Sequence, residues 1–400
     1  MTLQVVVAGG GIGGLAAVLA ASRANCDVRL LERTPLFSEA GAGIQLGPNV
    51  VKVLHSWGLS DALNAVAAFP ARLQVCSALS GQTLGELPLG EAMLQRYGAP
   101  YATVHRADLH GLLLHAVRQT GATLQLDCSL QSFKQTANAV TVQTANGPDI
   151  ECNALIGADG LWSAVRQQLL GDWPPRRTGH LAYRALIPQA GLPERLRCQN
   201  VTAWLGPRMH IVHYPVRGGD WLNVVAIVHG QAADDEGRQN EWDHSANRAD
   251  LLAGLTGACT ALQDFMQAID AWRLWVLYDR PPIRSAKEHA LGHVALLGDA
   301  AHPMRPYLAQ GAGMAIEDAA ELGCALAPAL DPAFDVATML QRYALNRWQR
   351  NARVQARSLR NGRIFHAEGP LRWARDTTMK LLGEKLLDLP WLYGATPRAF

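Results

Sequence analysis

Residues 5–14 read VVVAGGGIGG. The valines predict a buried strand, the glycines predict a tight turn, and the alanine-rich residues 13–24 predict a helix. A second apolar run follows at residues 28–32. Strand, turn, helix and strand within about 30 residues make one βαβ unit of an α/β fold.

The glycines of the turn follow the pattern Gly9-x-Gly11-x-x-Gly14, and Glu32 ends the second predicted strand. Such glycines let the backbone approach a pyrophosphate, and the helix that follows offers free amides and the positive end of its dipole. A carboxylate at Glu32 can accept hydrogen bonds from ribose hydroxyls. The pattern therefore predicts a site for the ADP half of FAD or of NAD. The residues predicted to contact it are Gly9, Gly11, Gly13, Gly14, Leu15, Glu32 and Arg33.

The 400-residue chain changes its sequence pattern twice, which predicts three segments. Residues 1–180 continue the α/β pattern. Residues 181–280 carry alternating and aromatic stretches typical of a mostly antiparallel sheet, with a polar stretch at 232–244 that predicts a surface loop. Residues 281–400 return to the first pattern with a buried strand at 294–297, followed by helices. We expect a nucleotide-binding domain in two pieces, an inserted sheet domain for the substrate, and C-terminal helices.

Composition and charge argue against several classes of protein. A hydrophobic fraction of 49% and a charged fraction of 18% are typical of a soluble enzyme, and a net charge of +2 gives no reason to expect nucleic acid or an acidic membrane as a partner. The apolar runs are far shorter than the roughly 20 residues of a membrane span, and no basic leader precedes them, so we expect a cytoplasmic protein. Seven scattered cysteines without a CxxC pair predict reduced thiols and no metal site.

Two further motifs stand at residues 158–166, ADGLWSAVR, and at residues 298–303, GDAAHP. Together with the glycine turn they occur in the order found in the single-component FAD-dependent aromatic hydroxylases, and the whole chain resembles that family. The resemblance implies a Rossmann-like FAD-binding domain with an inserted antiparallel sheet. It also implies that Asp159 and Gly160 lie between the FAD pyrophosphate and NAD(P)H, and that Asp299 holds the ribityl chain.

The resemblance assigns residues around the flavin ring as well. Residues 41–49, GAGIQLGPN, are similar to the family segment that lines the isoalloxazine, and Arg106 matches an arginine near the phosphate or ribityl chain. A helix that begins near Gly311 would stabilise negative charge on the flavin through its N-terminal amides. The residues implied for this part of the cofactor site are Gly43, Gln45, Arg106, Cys128, Gly311, Ala312 and Gly313.

In this family NAD(P)H reduces the flavin, O2 adds at C4a, and the hydroperoxide hydroxylates an electron-rich ring. The resemblance implies the same chemistry here, with NADH the favoured reductant and a small hydroxybenzoate- or salicylate-like substrate. A base that removes the phenol proton makes the ring a better nucleophile, and histidine suits that task. His213, on an alternating strand, is the preferred base, with Tyr214 and His302 as further catalytic candidates. His213 could instead be packed, because His210 faces the other side of the strand, and His302 could instead orient its loop.

A carboxylated substrate would require a bidentate arginine. Arg184 and Arg305 are candidates, and either could instead be a surface charge. Within the family the chain resembles the salicylate, 3-hydroxybenzoate and 6-hydroxynicotinate hydroxylases. The last of these have a histidine where this chain has Gln45, which favours a benzoate-type substrate over a hydroxypyridine. The residues predicted to line the substrate site are Gln45, Arg184, His213, Arg305 and Pro306.

Three alternatives stay open at this point. The chain could be a flavin oxidoreductase that acts on a hydroxypyridine or a quinolone, a flavin oxidase or halogenase, or an FAD-binding module without catalysis. The intact Asp-Gly and Gly-Asp motifs, and the absence of both a CxxC pair and a second dinucleotide fingerprint, favour the monooxygenase. The C-terminal helices could form a homodimer.

Overall fold

A computed structural model describes residues 2–37, 41–171, 174–230, 244–327 and 335–395. The strands are β1 Gln4–Ala8, β2 Asp27–Leu31, β3 Gly43–Leu46, β4 Ala67–Ala68, β5 Arg72–Ser77, β6 Thr83–Pro88, β7 Ala102–His105, β8 Thr123–Gln125, β9 Leu130–Gln135, β10 Val140–Thr144, β11 Ile150–Cys152, β12 Ala154–Gly157, β13 Arg176–Pro188, β14 Val201–Gly206, β15 Met209–Val216, β16 Trp221–His229, β17 His244–Ser245, β18 Arg273–Asp279, β19 Ala290–Leu291 and β20 Val294–Leu296. The helices are α1 Ile12–Arg23, α2 Pro48–Ser56, α3 Ser60–Val66, α4 Gly90–Tyr97, α5 Arg106–Arg118, α6 Ala164–Leu170, α7 Arg248–Ala253, α8 Thr260–Gln267, α9 Gly311–Leu326, α10 Val336–Phe365, α11 Gly369–Leu382, α12 Glu384–Leu387 and α13 Pro390–Tyr393. The polar stretch predicted as a loop at 232–244 lies outside the described residues apart from His244.

The first sheet has six strands in the order β19-β20-β12-β1-β2-β8. Strand β1 lies between β12 and β2 and pairs with both in parallel. Helix α1 connects β1 to β2 and buries its apolar residues against α5 and α9. Helices α1, α5 and α9 cover one face of this mostly parallel sheet, and the antiparallel strands β9, β10 and β11 together with α6 cover the other. The predicted α/β fold class is therefore confirmed.

The second sheet has eight strands in the order β17-β18-β13-β16-β15-β14-β5-β6. It is antiparallel except where β14 pairs with β5. The prediction that this sheet comes from residues 181–280 needs correction, because β5 and β6 come from residues 72–88 and β13 begins at Arg176. Strand β5 pairs with the edge of β14, which the later segment would otherwise leave open, and β6 pairs with β5.

Strand alternation gives the second sheet two different faces. On β15, Ile211 belongs to a core that includes Leu262 and Phe265 of α8. The opposite face packs on the C-terminal part of the chain, where Tyr214 shares a core with Leu392 of α13. Successive side chains of a strand point to opposite faces, so the outer face lies under α7 and α8 and the inner face lies toward α10 to α13.

Helices α9 and α10 carry a buried charged network. Arg347 of α10 donates to Asp318 of α9 at 2.7 Å and pairs with Glu317 at 2.9 Å, and the three side chains are almost fully buried. Arg350 pairs with the same Glu317 at 2.6 Å. The network joins the two helices behind the loop that follows β20. In the described part of the chain, every helix is too short or too polar to cross a membrane.

Candidate functional site

The glycine turn between β1 and α1 is closed too tightly for side chains. Gly9 has φ +104°, and a Cβ added to it would lie 2.5 Å from the carbonyl oxygen of Ala158 on the neighbouring strand end. A Cβ on Gly14 would lie 1.8 Å from the carbonyl oxygen of Gly9. The close approach leaves a cleft of about 330 Å³ above the strand ends. The cleft is lined by residues that include Gly9, Gly11, Glu32, Arg33, Cys128, Asp159 and Gly160.

Glu32 is held at the rim of this cleft by the backbone. The Gly10 amide donates to its Oε2 at 2.6 Å, and the Thr34 amide donates to its Oε1 at 2.9 Å. The fixed carboxylate can still accept ribose hydroxyls, because each oxygen has a second lone pair. Leu15 is fully buried in the core, so only its backbone can face a cofactor. Cleft, glycines and carboxylate together fit the ADP half of FAD.

The Asp-Gly and Gly-Asp motifs meet at the ends of β12 and β20. Asp159 lines the cleft and accepts hydrogen bonds from the hydroxyl of Ser163, the N-cap of α6, and from the Val165 amide at 3.1 Å. Burial raises the pKa of Asp159, and these hydrogen bonds oppose the shift. Arg166 donates to the carbonyl oxygens of Ala301 and Ala300 at 2.7 and 3.2 Å, which ties the two motifs together.

Asp299 lies beyond β20, and its side chain is exposed. Desolvation by the surrounding protein raises the pKa of the Asp299 carboxyl group, and the charges of His302 and Arg106 lower it. Arg106 begins α5, and its amide donates to the Ala42 carbonyl at 2.7 Å. A carboxylate at this position can accept hydrogen bonds from hydroxyl groups, and its contact with the ribityl chain stays a prediction. The first turn of the 16-residue helix α9 contains Gly311, Ala312 and Gly313, whose amides lie at the positive end of its dipole.

The segment predicted to line the flavin ring runs along β3. The Gly43 amide donates to Asn223 Oδ1 at 2.6 Å, and a Cβ on Gly43 would lie 2.6 Å from Tyr214. The Tyr101 hydroxyl donates to Gln45 Oε1 at 2.6 Å, and Gln45 also hydrogen-bonds Tyr214. Burial raises the pKa of Tyr214 well above its ordinary value. Gln45 and Tyr214 therefore meet where the first part of the chain touches the inner face of the sheet.

A cavity of about 580 Å³ lies between the inner face of the second sheet and α10 to α12. Ligand pockets commonly have this size. Its wall combines apolar side chains with His210, Tyr307 and Arg357, and Gln45 and Tyr101 lie on its border. Pro306, which we predicted to line the substrate site, also contributes to the wall. The cavity can hold an aromatic ring out of water next to a histidine and a cation.

The prediction that His213 faces this cavity is wrong, because β15 turns it toward the outer face. His213 packs on Phe265 of α8 with ring centroids 4.6 Å apart, and its Nε2 accepts from Trp204 Nε1 at 3.2 Å. The histidine that lines the cavity is His210, on the same face as Val212 and Tyr214. The sequence shows that the two histidines face opposite sides of the strand. Which of these sides α8 covers depends on tertiary packing, which the local sequence does not show.

His210 begins a chain of imidazoles that the sequence analysis missed. Its Nδ1 is hydrogen-bonded to Nε2 of His366 at 2.7 Å, and Nδ1 of His366 is hydrogen-bonded to Nε2 of His229 at 2.8 Å. His180 stacks on His229 and hydrogen-bonds the Tyr307 hydroxyl. Burial lowers the pKa of His210 to about 3 and that of His366 to about 2, which leaves these rings neutral. The four histidines come from three strands and the end of α10, so no sequence motif predicts that they lie together.

His302 is not available for catalysis in this structure, which corrects its prediction. It is fully buried, and its Nε2 is hydrogen-bonded to the carboxylate of Asp318. Burial alone would raise the pKa of Asp318, but His302 and Arg347 hold it well below its ordinary value. His302 therefore belongs to the charged network between α9 and α10 and orients the loop after β20.

The two arginines predicted to bind a substrate carboxylate, Arg184 and Arg305, differ in whether the guanidinium group is already paired with a carboxylate. Arg305 forms a two-nitrogen ion pair with Asp279 at 2.8 Å, so its guanidinium is already neutralised and its prediction as a substrate ligand needs correction. Arg184 lies on the inner face, 3.7 Å over the ring of Trp275, and its buried Nε has no hydrogen-bond partner among the described residues. Arg357 of α10 lines the cavity, and its buried Nε likewise lacks a partner in the described part of the chain. Sequence reasoning missed Arg357, because α10 carries seven arginines with nothing to distinguish them.

Comparisons with known proteins agree with this geometry. A family model described as an FAD binding domain matches residues 2–358. The chain is 38% identical over 395 residues to the 3-hydroxybenzoate 6-hydroxylase of Polaromonas naphthalenivorans (strain CJ2), covering 98% of this chain and 96% of that one. It is 35% identical over 368 residues to the 6-hydroxynicotinate 3-monooxygenase of Bordetella bronchiseptica, covering 92% and 93% of the two chains.

A solved structure of a salicylate hydroxylase substrate complex matches this fold with a TM-score of 0.83 at 26% identity, covering 98% of this chain and 96% of that one. Family model and relatives extend over nearly the whole chain, and they confirm the predicted cofactor, FAD, and the predicted family. The chain belongs to the FAD-dependent aromatic hydroxylases and is a flavoprotein monooxygenase.

Proposed function

We propose that the enzyme hydroxylates a small aromatic acid that carries a phenol, with O2 as the oxidant and NAD(P)H, NADH favoured, as the reductant. The observation that carries the proposal is the cavity of about 580 Å³, which joins His210, Arg357 and apolar walls to the border formed by Gln45 and Tyr101. When bound, FAD supplies the oxygen activation. The residues of the chain bind and orient the ring, exclude water and accept the phenol proton.

Water exclusion rests on the apolar strands of the inner face. Val75 of β5, Ala203 and Leu205 of β14 and Val212 of β15 line the cavity, and Met379 of α11 closes it from the other side. These side chains offer water no hydrogen-bond partner, so water is poorly held next to the reacting ring. The same walls strengthen the few polar contacts inside the cavity, because the local dielectric is low.

His210 is the residue to which we assign the phenol proton. Its Nδ1 is bound to His366, so Nε2 is the nitrogen left for the cavity. A ring with a pKa of about 3 stores a proton poorly, but it can pass one on. The proton accepted at Nε2 of His210 displaces the proton on Nδ1 to His366, and His366 passes its own to His229. His229 is partly exposed and completes the path to solvent.

Arg357 is the residue to which we assign a substrate carboxylate. Replacing Arg357 with methionine removes a charged hydrogen-bond donor worth about 1.5–3 kcal/mol, so KM for a hydroxybenzoate is expected to rise about 10- to 100-fold. A phenol without a carboxylate should be hydroxylated as well by the variant as by the wild type. Steady-state kinetics with both substrates, and with Arg353→Met on the exposed side of α10 as the control, measure this. Equal losses for acid and phenol, or a larger loss in Arg184→Met, would contradict the assignment.

Glu32 provides a test of the cofactor site that does not depend on turnover. Replacing Glu32 with alanine removes a carboxylate that we expect to bind the ribose hydroxyls, and it leaves the Gly10 amide without its partner. The dissociation constant for FAD should rise about 10- to 100-fold, in line with a charged hydrogen bond. Equilibrium dialysis with flavin absorbance measures it, and Glu86→Ala, at an exposed position of β6, is the matched control. An FAD affinity equal to that of the control would remove Glu32 from the site.

The proposal as a whole is tested with the purified, FAD-loaded enzyme. NADH and NADPH oxidation and product mass are measured over a panel of hydroxybenzoates, salicylate, phenols and 6-hydroxynicotinate. We expect oxygen insertion into a hydroxybenzoate or salicylate coupled to NADH oxidation. Preference for 6-hydroxynicotinate would favour the second candidate, a hydroxypyridine hydroxylase, which the 35% identity to the Bordetella bronchiseptica enzyme supports. NADH oxidation that no aromatic compound stimulates would refute both.

The proposal also includes a homodimer in the cytoplasm. Helix α11 supports the homodimer, because it carries large apolar side chains that stay exposed on the monomer. These side chains are Leu371, Trp373, Leu381 and Leu382.

A further inference from the structure

Three histidines converge next to His210, which lines the cavity. His180 of β13 and His229 of β16 are cross-strand partners, and their rings stack with centroids 4.3 Å apart. His366, which follows α10, lies against both, with ring centroids 5.1 Å from His180 and 4.9 Å from His229. One ring nitrogen of each histidine lies within 4.8 Å of the other two.

Two of these rings are already oriented through their second nitrogen. His366 Nε2 is hydrogen-bonded to His210, and His180 Nδ1 is hydrogen-bonded to the Tyr307 hydroxyl. Metal-binding histidines are usually held in this way, with one nitrogen fixed by a neighbour and the other free for the ion. The arrangement leaves His180 Nε2, His229 Nε2 and His366 Nδ1 as the three converging nitrogens.

The charges around the cluster permit a cation. Arg305 and Arg208 are close enough to lower histidine pKa values in the cluster, but Arg305 is paired with Asp279 at 2.8 Å and Arg208 lies 3.9 Å from Glu368. The carboxylate of Glu368 acts in the opposite direction and raises the pKa of His229. An imidazole binds a metal through a nitrogen lone pair, and each of the three converging ring nitrogens can offer one.

We propose that His180, His229 and His366 form a binding site for one divalent transition-metal ion of the imidazole-preferring kind, with Zn²⁺ as the reference ion. Three histidines and one open position are a common zinc arrangement. With Zn–N bonds of about 2.0–2.1 Å, tetrahedral ligand atoms lie about 3.3 Å apart. His229 Nε2 and His366 Nδ1 are 2.8 Å apart and all three nitrogens lie within 4.8 Å of one another, so rotation of the rings is needed to reach this spacing.

Metal binding here would act on His210, a consequence that rests on the proposed function. An ion on Nδ1 of His366 forces the proton of that ring onto Nε2, which then donates to Nδ1 of His210. His210 must in turn carry its own proton on Nε2, the nitrogen that faces the cavity. It then presents a donor to the phenol where the reaction needs an acceptor. The ion also closes the path through His229, so the metal-bound enzyme should hydroxylate more slowly.

Binding is tested first, without turnover. Chelator-treated, FAD-loaded enzyme is titrated with ZnCl2 by calorimetry, and bound zinc is counted by elemental analysis after dialysis. We expect one ion per chain, bound at least tenfold more weakly by His229→Gln and by His366→Gln. His115→Gln, an exposed histidine of α5, is the matched control and should bind as the wild type does. The site would be overturned if His229→Gln bound zinc as tightly as the wild type. It would also be overturned if the wild type bound no stoichiometric ion.

The coupling to His210 is then tested with wild-type enzyme. Zn²⁺ at saturation is expected to reduce the rate of product formation at least tenfold, with full recovery on addition of a chelator, while FAD stays bound. Stoichiometric zinc with an unchanged hydroxylation rate would overturn the coupling. Because calorimetry requires no substrate, a failure of the proposed hydroxylase activity would not be mistaken for a failure of the metal site.

Discussion

Replacing His210 with asparagine is expected to lower the hydroxylation rate by about 10²- to 10⁴-fold, the usual contribution of a general acid–base group. Asparagine is similar in size and polar, but it cannot accept the phenol proton and pass another to His366. FAD should stay bound, because His210 lies on the inner face of the second sheet and not at the glycine turn. Product formation and NADH oxidation are measured together. NADH oxidation without product would show that the variant still consumes NADH but no longer hydroxylates the substrate.

The matched control for this prediction stands three residues away on the same strand. His213→Asn changes a buried histidine that packs on Phe265 at the outer face, so its flavin-loaded form should hydroxylate within a few-fold of the wild type. The His210→Asn rate should recover in part as pH rises toward about 10, where phenols ionise in solution. A larger loss in His213→Asn than in His210→Asn would reverse the assignment of the two strand faces.

Replacing Arg347 with methionine is expected to destabilise the protein by about 3–5 kcal/mol, the cost of breaking a buried ion pair by removing one partner. Arg347 is buried between Glu317 and Asp318, at 2.9 and 2.7 Å, so the change leaves carboxylates in the interior with fewer partners. Denaturant unfolding followed by tryptophan fluorescence measures the loss. Arg353 is exposed, and its guanidinium carbon lies over the ring of Trp391, 4.1 Å from the centroid, so Arg353→Met should cost no more than about 1 kcal/mol.

The pH dependence of this effect has a definite sign. The folded-state pKa of Asp318 lies well below its unfolded value of about 3.9, so its pairing stabilises the protein above that pH and the stabilisation is lost on acidification. The difference between wild type and Arg347→Met should therefore shrink as pH falls below about 4. A difference that stayed constant from neutral pH to pH 3 would show that the arginine acts through packing and not through charge.

The parts of the fold that could be predicted are those encoded locally. The βαβ unit lies within 30 residues, and its strand, glycine turn and helix each carry their own pattern. Glu32, which we propose as the ribose-binding carboxylate, could be placed beside the glycine turn because it follows the next strand of the same unit. Asp159 and Asp299 could be placed at strand ends for the same reason, since each follows a short buried run.

The parts that could not be predicted depend on which distant element covers a face. Alternation on β15 separates His210 from His213, but only the position of α8 shows that His213 lies on the outer side. The chain His210–His366–His229 joins two strands to the end of α10 across more than a hundred residues, with no motif. Arg357 is one of seven arginines in α10, and only the cavity distinguishes it.

The contribution of β5 and β6 to the second sheet has a consequence for protein engineering. An exchange of substrate specificity between relatives is usually planned as the transfer of one continuous segment. Here a transplant of residues 176–279 alone would pair β14 with the recipient's counterpart of β5, whose side chains did not evolve against it. Chimaeras that carry residues 72–88 together with that segment keep the native strand pair, and these are the hybrids to build.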